Sequence, residues 1–481
     1  MATMTLKKQT MTSEFTYRWP DHNLALDAHW QPTQNGPFSE RRLPENREQL
    51  EQDSRWPAFF PSPICLVTTT NGQEMALEKV VGPSIVNRFP YIAALSFCRE
   101  RLSSRHHVRS KFTELLEAGE TVAIQFLDQG EKLSAALDAI QNINEDKSSE
   151  RFDRAGLTTR PSETVAAPTI NDAYLVYEGR LVKPGKDFAG DAIFDTPFED
   201  VGSHRVYFIE ITAIQLREDI ATGQTQIGWQ SLPEWQPGDI PLGAQKSVGD
   251  VTPKTGMASH YEKGFTPNYN FPNPGTIAFE RDKTAHNMAI KFLEPLPEDQ
   301  VEIDNDRARW PCFFPSPTGM ITSWTDQGTP NLMPCGSTTM ISRHPLIVAP
   351  CISYSPINER YAPRVTLDMI RVKKTFGCGV AYIDDNMTRA IRYTGTTSYA
   401  TDKEKVKNAG FEVRQGALSP HLTALPIHFE CQLIGEVKLG THIMLLGEVK
   451  SILVRDDLTS DNPMRWQPWG CLKSVEGLIN G

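Results

Sequence analysis

The chain has 481 residues, 39% of them hydrophobic and 22% charged, with a formal net charge of -10. A single hydrophobic core rarely grows past about 250–300 residues, so length alone predicts two domains. No window holds the roughly 18 consecutive apolar residues of a membrane-spanning helix, and no run of lysine and arginine is long enough to neutralise a phosphate backbone; neither a membrane nor a nucleic acid is an expected partner.

Residues 1–50 read as an N-terminal extension that wraps one domain edge. Their polar start, with Lys7 and Lys8 but no uninterrupted apolar stretch, lacks the form of a secretory signal and points to a cytoplasmic protein. Short β-rich runs bounded by turn residues then predict strands over Ile64–Thr70, Tyr91–Phe97, Thr121–Phe126, Ala173–Val182 and Val206–Leu216. Residues 110–119 place apolar side chains at helical spacing and end on Gly119, which predicts a helix. From 232 to 300 the chain is rich in Pro, Gly, Asn and Asp, with Tyr261, Phe265, Tyr269 and Phe271 among them, and reads as a linker packed on the surface.

Beyond it, strands are expected at Gly319–Trp324, Leu346–Tyr354, Gly377–Ile383, His428–Glu436 and His442–Val454, a helix over 365–370, and a loop dense in small hydroxyl residues from Asn331 to Thr339. Strand-dominated halves with one or two helices each and antiparallel connections read as mainly β, each half a small barrel. Eight cysteines without any C-x-x-C pair fit reduced thiols and imply neither a disulfide framework nor a metal site.

The two sets of elements are copies of one another. Arg55-Trp56-Pro57-Ala58-Phe59-Phe60-Pro61-Ser62-Pro63 recurs as Arg309-Trp310-Pro311-Cys312-Phe313-Phe314-Pro315-Ser316-Pro317, identical at eight of nine positions with an offset of 254 residues. The register continues through Asn87–Pro90 against Ser342–Pro345 and Gly202–Glu210 against Gly440–Glu448, and Trp229 and Trp235 answer Trp466 and Trp469. An internal repeat of this length divides the chain into domains at 51–231 and 301–481.

Each half resembles the flavin reductase / flavoredoxin family of FMN-binding split barrels. In the first half the resemblance rests on Phe60-Pro61-Ser62-Pro63, on Ser148–Leu157, and on Ala167-Pro168-Thr169-Ile170 leading into Tyr177-Glu178-Gly179. In the second it rests on Asn331–Ser337, Gly395-Thr396-Thr397-Ser398, Asp402-Lys403 with Ala409-Gly410-Phe411, Phe429-Glu430-Cys431 and Gly440-Thr441-His442. The resemblance implies two split barrels arranged as an intramolecular pseudo-dimer, with FMN between the halves, reduction by NADH or NADPH, and onward transfer to free flavin or to a partner such as a monooxygenase. Two alternatives stand beside this: a flavoenzyme acting directly on a small-molecule substrate, and a non-catalytic flavin-binding module. Further pairing into a homodimer is compatible with all three.

FMN needs hydroxyl and N–H donors around a doubly charged phosphate and polar groups along its ring edges. The resemblance places the flavin along Asn331, Pro334, Gly336, Ser337, Thr338 and Thr339, and the phosphate beside Ser353, Arg360, Arg364 and Thr366, at the start of a helix. The first half lacks the asparagine, adds Glu78, and carries a basic segment in which Ser104, Arg105 and His107 are candidates to bind FMN or another anion, the alternative being that the segment caps the helix that follows. His204 and His442 stand at equivalent positions early in the last strand of each half and are the candidate catalytic residues.

Overall fold

Thr121–Leu127 (TVAIQFL) shows how the sheets form. It is buried on both alternations: Val122, Ile124 and Phe126 enter the barrel core, and Ala123 and Leu127 enter a second cluster beneath two helices. Both faces are dry, which explains the mainly apolar run, and its one interior polar residue, Gln125, accepts the Ile170 N–H and donates to Thr68 Oγ1 at 3.0 Å. In the computed structural model of the chain, the residues described are 38–42, 64–87, 90–98, 111–127, 131–143, 147–202, 204–217, 288–292, 318–343, 345–354, 363–381 and 385–455.

The principal elements before and within the first half are β1 (Phe38–Arg42), β2 (Ile64–Thr70), β3 (Met75–Val81), β4 (Ser84–Asn87), β5 (Ile92–Cys98), α1 (Lys111–Gly119), β6 (Thr121–Leu127), α2 (Glu131–Asn142), α3 (Glu150–Ala155), β7 (Ala173–Leu181) and β8 (His204–Arg217). Then come β9 (Met288–Phe292), β10 (Gly319–Trp324), β11 (Pro330–Cys335), β12 (Thr338–Arg343), β13 (Leu346–Ser353), α4 (Val365–Lys373), β14 (Thr375–Val380), α5 (Asp385–Thr396), α6 (Lys405–Asn408), β15 (Ile427–Lys438) and β16 (His442–Arg455). The first sheet runs β3-β2-β6-β7-β8-β5-β4 and the second β11-β10-β14-β15-β16-β13-β12. The order is the same in both, every pairing is antiparallel, and each sheet curls into a half-barrel: two split barrels, mainly β.

The two halves are interlocked. β1, which precedes the first barrel, pairs with β16 of the second, and β9, which precedes the second barrel, pairs with β8 of the first. Phe38 lies opposite Arg455 as Met288 lies opposite Arg217, so the two exchanged strands share one register. A shared apolar cluster joins Val86, Ile92, Val206 and Phe208 to Ile341, Ile347, Cys351 and Met444. Ser96 Oγ crosses the boundary to donate to the Ile341 carbonyl at 2.8 Å.

Two expectations need correction. Asn331–Thr339 is not a loop: β11 and β12 cover it apart from a bend at Gly336 and Ser337, and β10 supplies the ladder partners, Gly319 opposite Cys335 through Trp324 opposite Pro330. Tertiary pairing overrides the weak strand propensity of Pro, Asn and Cys there. Helices are also more numerous than one or two per half, since α2, α3, α5 and α6 join α1 and α4. Glu131–Asn142 does carry the helical signal, with Leu133, Ala136, Leu137 and Ile140 on one buried face. Within the 232–300 segment, residues 288–292 form β9.

Candidate functional site

β13 ends at Ser353 and β16 begins at His442, and these two residues are direct cross-strand partners. Opposite residues of an antiparallel pair share a face, so the candidate catalytic histidine and a candidate cofactor residue stand side by side. The Tyr354 N–H continues the ladder to the Thr441 carbonyl at 3.0 Å. Arg364 then returns to the same place: its N–H donates to the Ser353 carbonyl at 3.3 Å, and its Nε donates to Ser353 Oγ at 3.1 Å.

Arg364 is extended, with φ -91 and ψ 130, and stands at the N-terminus of α4 without capping it through its side chain. The first-turn N–H groups of a helix have no intrahelical acceptor and carry the positive end of its dipole. Thr366, buried in that first turn, accepts a hydrogen bond from Asn331 Nδ2 at 2.8 Å. Asn331 is 1% exposed on β11 and its Oδ1 has no partner in the protein. Either orientation of the amide leaves one polar atom unpaired, a penalty of about 1–3 kcal/mol unless a ligand meets it.

Lys405 joins this cluster from α6 and was not singled out by sequence. It is 3% exposed, and its Nζ donates to the Thr397 carbonyl at 3.1 Å. Burial and, secondly, the charge of Arg364 push its ammonium down from 10.5 to about 8, against a smaller opposite pull from Asp402. The visible signal is its place two residues after Lys403, in a segment that repeats the Ser148–Leu157 pattern.

The other residues named from sequence take different positions. Thr339 Oγ1 donates across the boundary to the Gly82 carbonyl at 2.8 Å. Thr338 packs over Gly319, where an added Cβ would come within 2.6 Å of its hydroxyl. Ser337 receives the Cys351 N–H on its carbonyl at 2.8 Å, with Gly336 beside it in the bend. Pro334 lies against Gly395 of α5. His204 faces Cys98 where His442 faces Ser353. Ser104, Arg105, His107 and Arg360 lie outside the described residues.

The first half also reaches this site. Asn87 Oδ1 accepts both the His442 N–H and the Thr441 hydroxyl, and Thr441 Oγ1 contacts His442 Nδ1 at 2.8 Å. Tyr354 donates to Asp187 Oδ2 at 2.8 Å, while Asp187 Oδ1 gathers the N–H groups of Ala189 and Asp191. Burial, then Asp187, pushes the Tyr354 phenol up, so it remains a donor. Lys438 pairs with Asp191 of the same first-half hairpin.

Nearby thiols do not suit nucleophilic chemistry. Burial pushes Cys335, Cys351, Cys378 and Cys431 up, and all four stay protonated. The motif glutamates are loop anchors: Glu430 accepts the Leu418 and Ser419 N–H groups at 3.0 and 3.2 Å, and Glu178 those of Glu163 and Thr164 at 2.9 and 2.6 Å.

Two half-barrels of one topology, with a polar cluster where the ends of β13 and β16 meet the start of α4, define a tandem split-barrel protein. The chain belongs to the flavin reductase like domain family, whose model matches residues 58–230 and 311–469. Among solved structures it is similar to nitrilotriacetate monooxygenase component B from Bacillus cereus, at 19% identity over 31% of this chain and 75% of that one, with a TM-score of 0.27. It is similar to flavoredoxin from Methanosarcina acetivorans, at 17% identity over 34% and 93%, with a TM-score of 0.27. It is also similar to an NADH:FAD oxidoreductase from Streptomyces globisporus, at 20% identity over 32% and 86%, with a TM-score of 0.25. No curated protein matches the chain. Among the described residues no helix is long and apolar enough to cross a membrane.

Proposed function

We propose that the chain is an FMN-dependent oxidoreductase of flavin reductase type, holding FMN against Asn331, Ser353, Arg364, Thr366 and Lys405. The observation that carries this is Asn331: a 1% exposed amide with one unpaired polar atom, bonded to Thr366 at a helix N-terminus where two cations converge. A terminal phosphate dianion matches that donor set, which favours FMN.

A bound flavin would supply two-electron redox chemistry between NADH or NADPH and free flavin or the acceptor of a partner such as a monooxygenase. Arg364 and Lys405 would balance the charge of its phosphate, to which the first-turn N–H groups of α4 and the Thr366 hydroxyl would donate. Asn331 would turn its unpaired atom to the flavin. His442, with Nδ1 tied to Thr441, is held in one ring orientation beside Ser353 and is the side chain that holds or moves a proton there. Thiols at Cys65, Cys335, Cys351, Cys378 and Cys431, none of them in a disulfide, support a reducing, cytoplasmic setting, where NAD(P)H is also available.

FMN binding, followed by quenching of flavin fluorescence, tests the site. Thr366→Val and Arg364→Ala are each expected to weaken binding at least about tenfold, equivalent to about 1.4 kcal/mol. Unchanged affinity in both variants would place the flavin elsewhere.

A further inference from the structure

Strand register, helix position and the sequence repeat give Asn331, Ser353, Thr366 and Lys405 counterparts in the first half, while that of Arg364 lies outside the described residues. Asn331, opposite Ser323 on β10, corresponds to Ala76, opposite Thr69 on β2. Ser353, opposite His442, corresponds to Cys98, opposite His204. Thr366, second residue of α4, corresponds to Phe112, second residue of α1. Lys405, ahead of Ala409-Gly410-Phe411, corresponds to Arg151, ahead of Ala155-Gly156-Leu157.

These counterparts do not form an anion site. Ala76 is fully buried and has no polar side-chain atom. Phe112 is 1% exposed and stacks on Phe97 at 5.3 Å, and Phe97 meets Tyr207 edge-on at 5.9 Å, so aromatic rings occupy the first turn of α1. The Arg151 guanidinium is engaged by the protein: Nη1 donates to Glu78 Oε2 and to the Leu77 carbonyl, both at 2.8 Å, and Nη2 to the Ile143 carbonyl at 3.1 Å. The register sets Glu78, opposite Val67, against Met333, opposite Ile321, so the neutralising carboxylate exists in the first half alone.

The first half has gained something in exchange. Its connection from β7 to β8 runs through residues 182–203 and contains the ribbon Gly185–Lys186 with Ala192–Ile193 and the strand Phe198–Val201. The second half makes the same connection, from β15 to β16, with Leu439-Gly440-Thr441 alone. The added ribbon carries Asp187 onto Tyr354, one residue past Ser353.

We infer that the chain holds one flavin, in the second half, and that the first half's counterpart site is closed by its own side chains and now serves as the partner that shapes the surviving one. Asn87 and Asp187 are its positioning residues. This rests on the reading of the Asn331 cluster as a flavin site.

Equilibrium dialysis of FMN against the full-length chain counts the sites. One FMN per chain is expected. Two per chain would overturn the single-site inference while leaving the flavin reading intact, and none would overturn the flavin reading and the inference with it. Asn331→Ala, which installs the first-half residue, is expected to abolish stoichiometric binding while the melting temperature confirms a folded chain; one FMN retained in that variant would assign the flavin to the first half and overturn the inference. Should that variant not fold, the wild-type count still decides.

Discussion

Asn87 and His442 belong to different halves, yet the Asn87 Oδ1 accepts the His442 backbone N–H at 2.9 Å and the Thr441 hydroxyl at 2.9 Å. The Asn87 amide is fixed from its other end by donation to the Pro90 carbonyl at 2.6 Å. The turn that enters β16 is therefore set by the opposite barrel. Asn87→Ala leaves two donors unpaired and should cost about 1–3 kcal/mol. Scanning calorimetry should show a melting temperature lower by several degrees, together with weaker FMN binding, whereas an unchanged melt would mean that the contact contributes nothing.

Arg151 and Glu78 form a largely buried ion pair, with side chains 3% and 14% exposed. Removing the carboxylate alone strands a buried cation, so Glu78→Met should destabilise by about 3–5 kcal/mol. The double change Glu78→Met with Arg151→Leu should recover much of that loss, because both charges leave together. Chemical denaturation of the two single variants and the double variant measures the coupling; strict additivity would contradict the pairing.

His421 and His428 lie with ring centroids 4.9 Å apart inside the second barrel. Burial, reinforced by Arg414 and Arg455, pushes the His421 imidazole from 6.5 down to about 4. Burial, then His421, pushes His428 well below its ordinary value. The folded protein holds both neutral, and the unfolded chain takes up their protons near pH 6.5. Their contribution to stability is thus complete above that pH and is lost as pH falls toward 4, by about 1.4 kcal/mol per unit for each group. Melting temperatures should fall across that window, less steeply in His421→Gln, and an identical slope in the variant would show that His421 does not titrate there.

The Lys405 ammonium, pushed down to about 8, should make FMN affinity depend on pH. It carries its charge below that value and loses it above, while the phosphate stays doubly charged because its second pKa is about 6. Binding should weaken as pH rises from about 7 to about 10, and Lys405→Met should be weaker throughout and flatter. A pH-independent wild-type affinity would remove Lys405 from the phosphate site.

The fold was largely legible because the repeat made each weak strand signal appear twice, and Ile64–Thr70 and Gly319–Trp324 fall where their β-rich runs end. Met75–Val81 and Pro330–Cys335 were not legible, since strands containing Glu, Lys, Asn and Pro depend on their neighbours for pairing. Of the candidate site, Asn331, Ser353, Arg364, Thr366 and His442 were named from sequence, and the fold brings them together. Lys405 was missed because a lysine in a polar helical segment reads as solvated, and its burial depends on α6 turning it inward. Asn87, Asp187 and Tyr354 were missed because their contacts cross between halves that lie far apart in sequence.

The most direct measurement is the visible absorption spectrum of the FMN-loaded chain under anaerobic conditions as NADH, and separately NADPH, is added. Loss of the flavin band with matching oxidation of one nicotinamide, returning when free flavin is supplied as acceptor, is the predicted result. A chain that takes up no FMN, or a bound flavin that stays oxidised with both nucleotides, would contradict a flavin reductase.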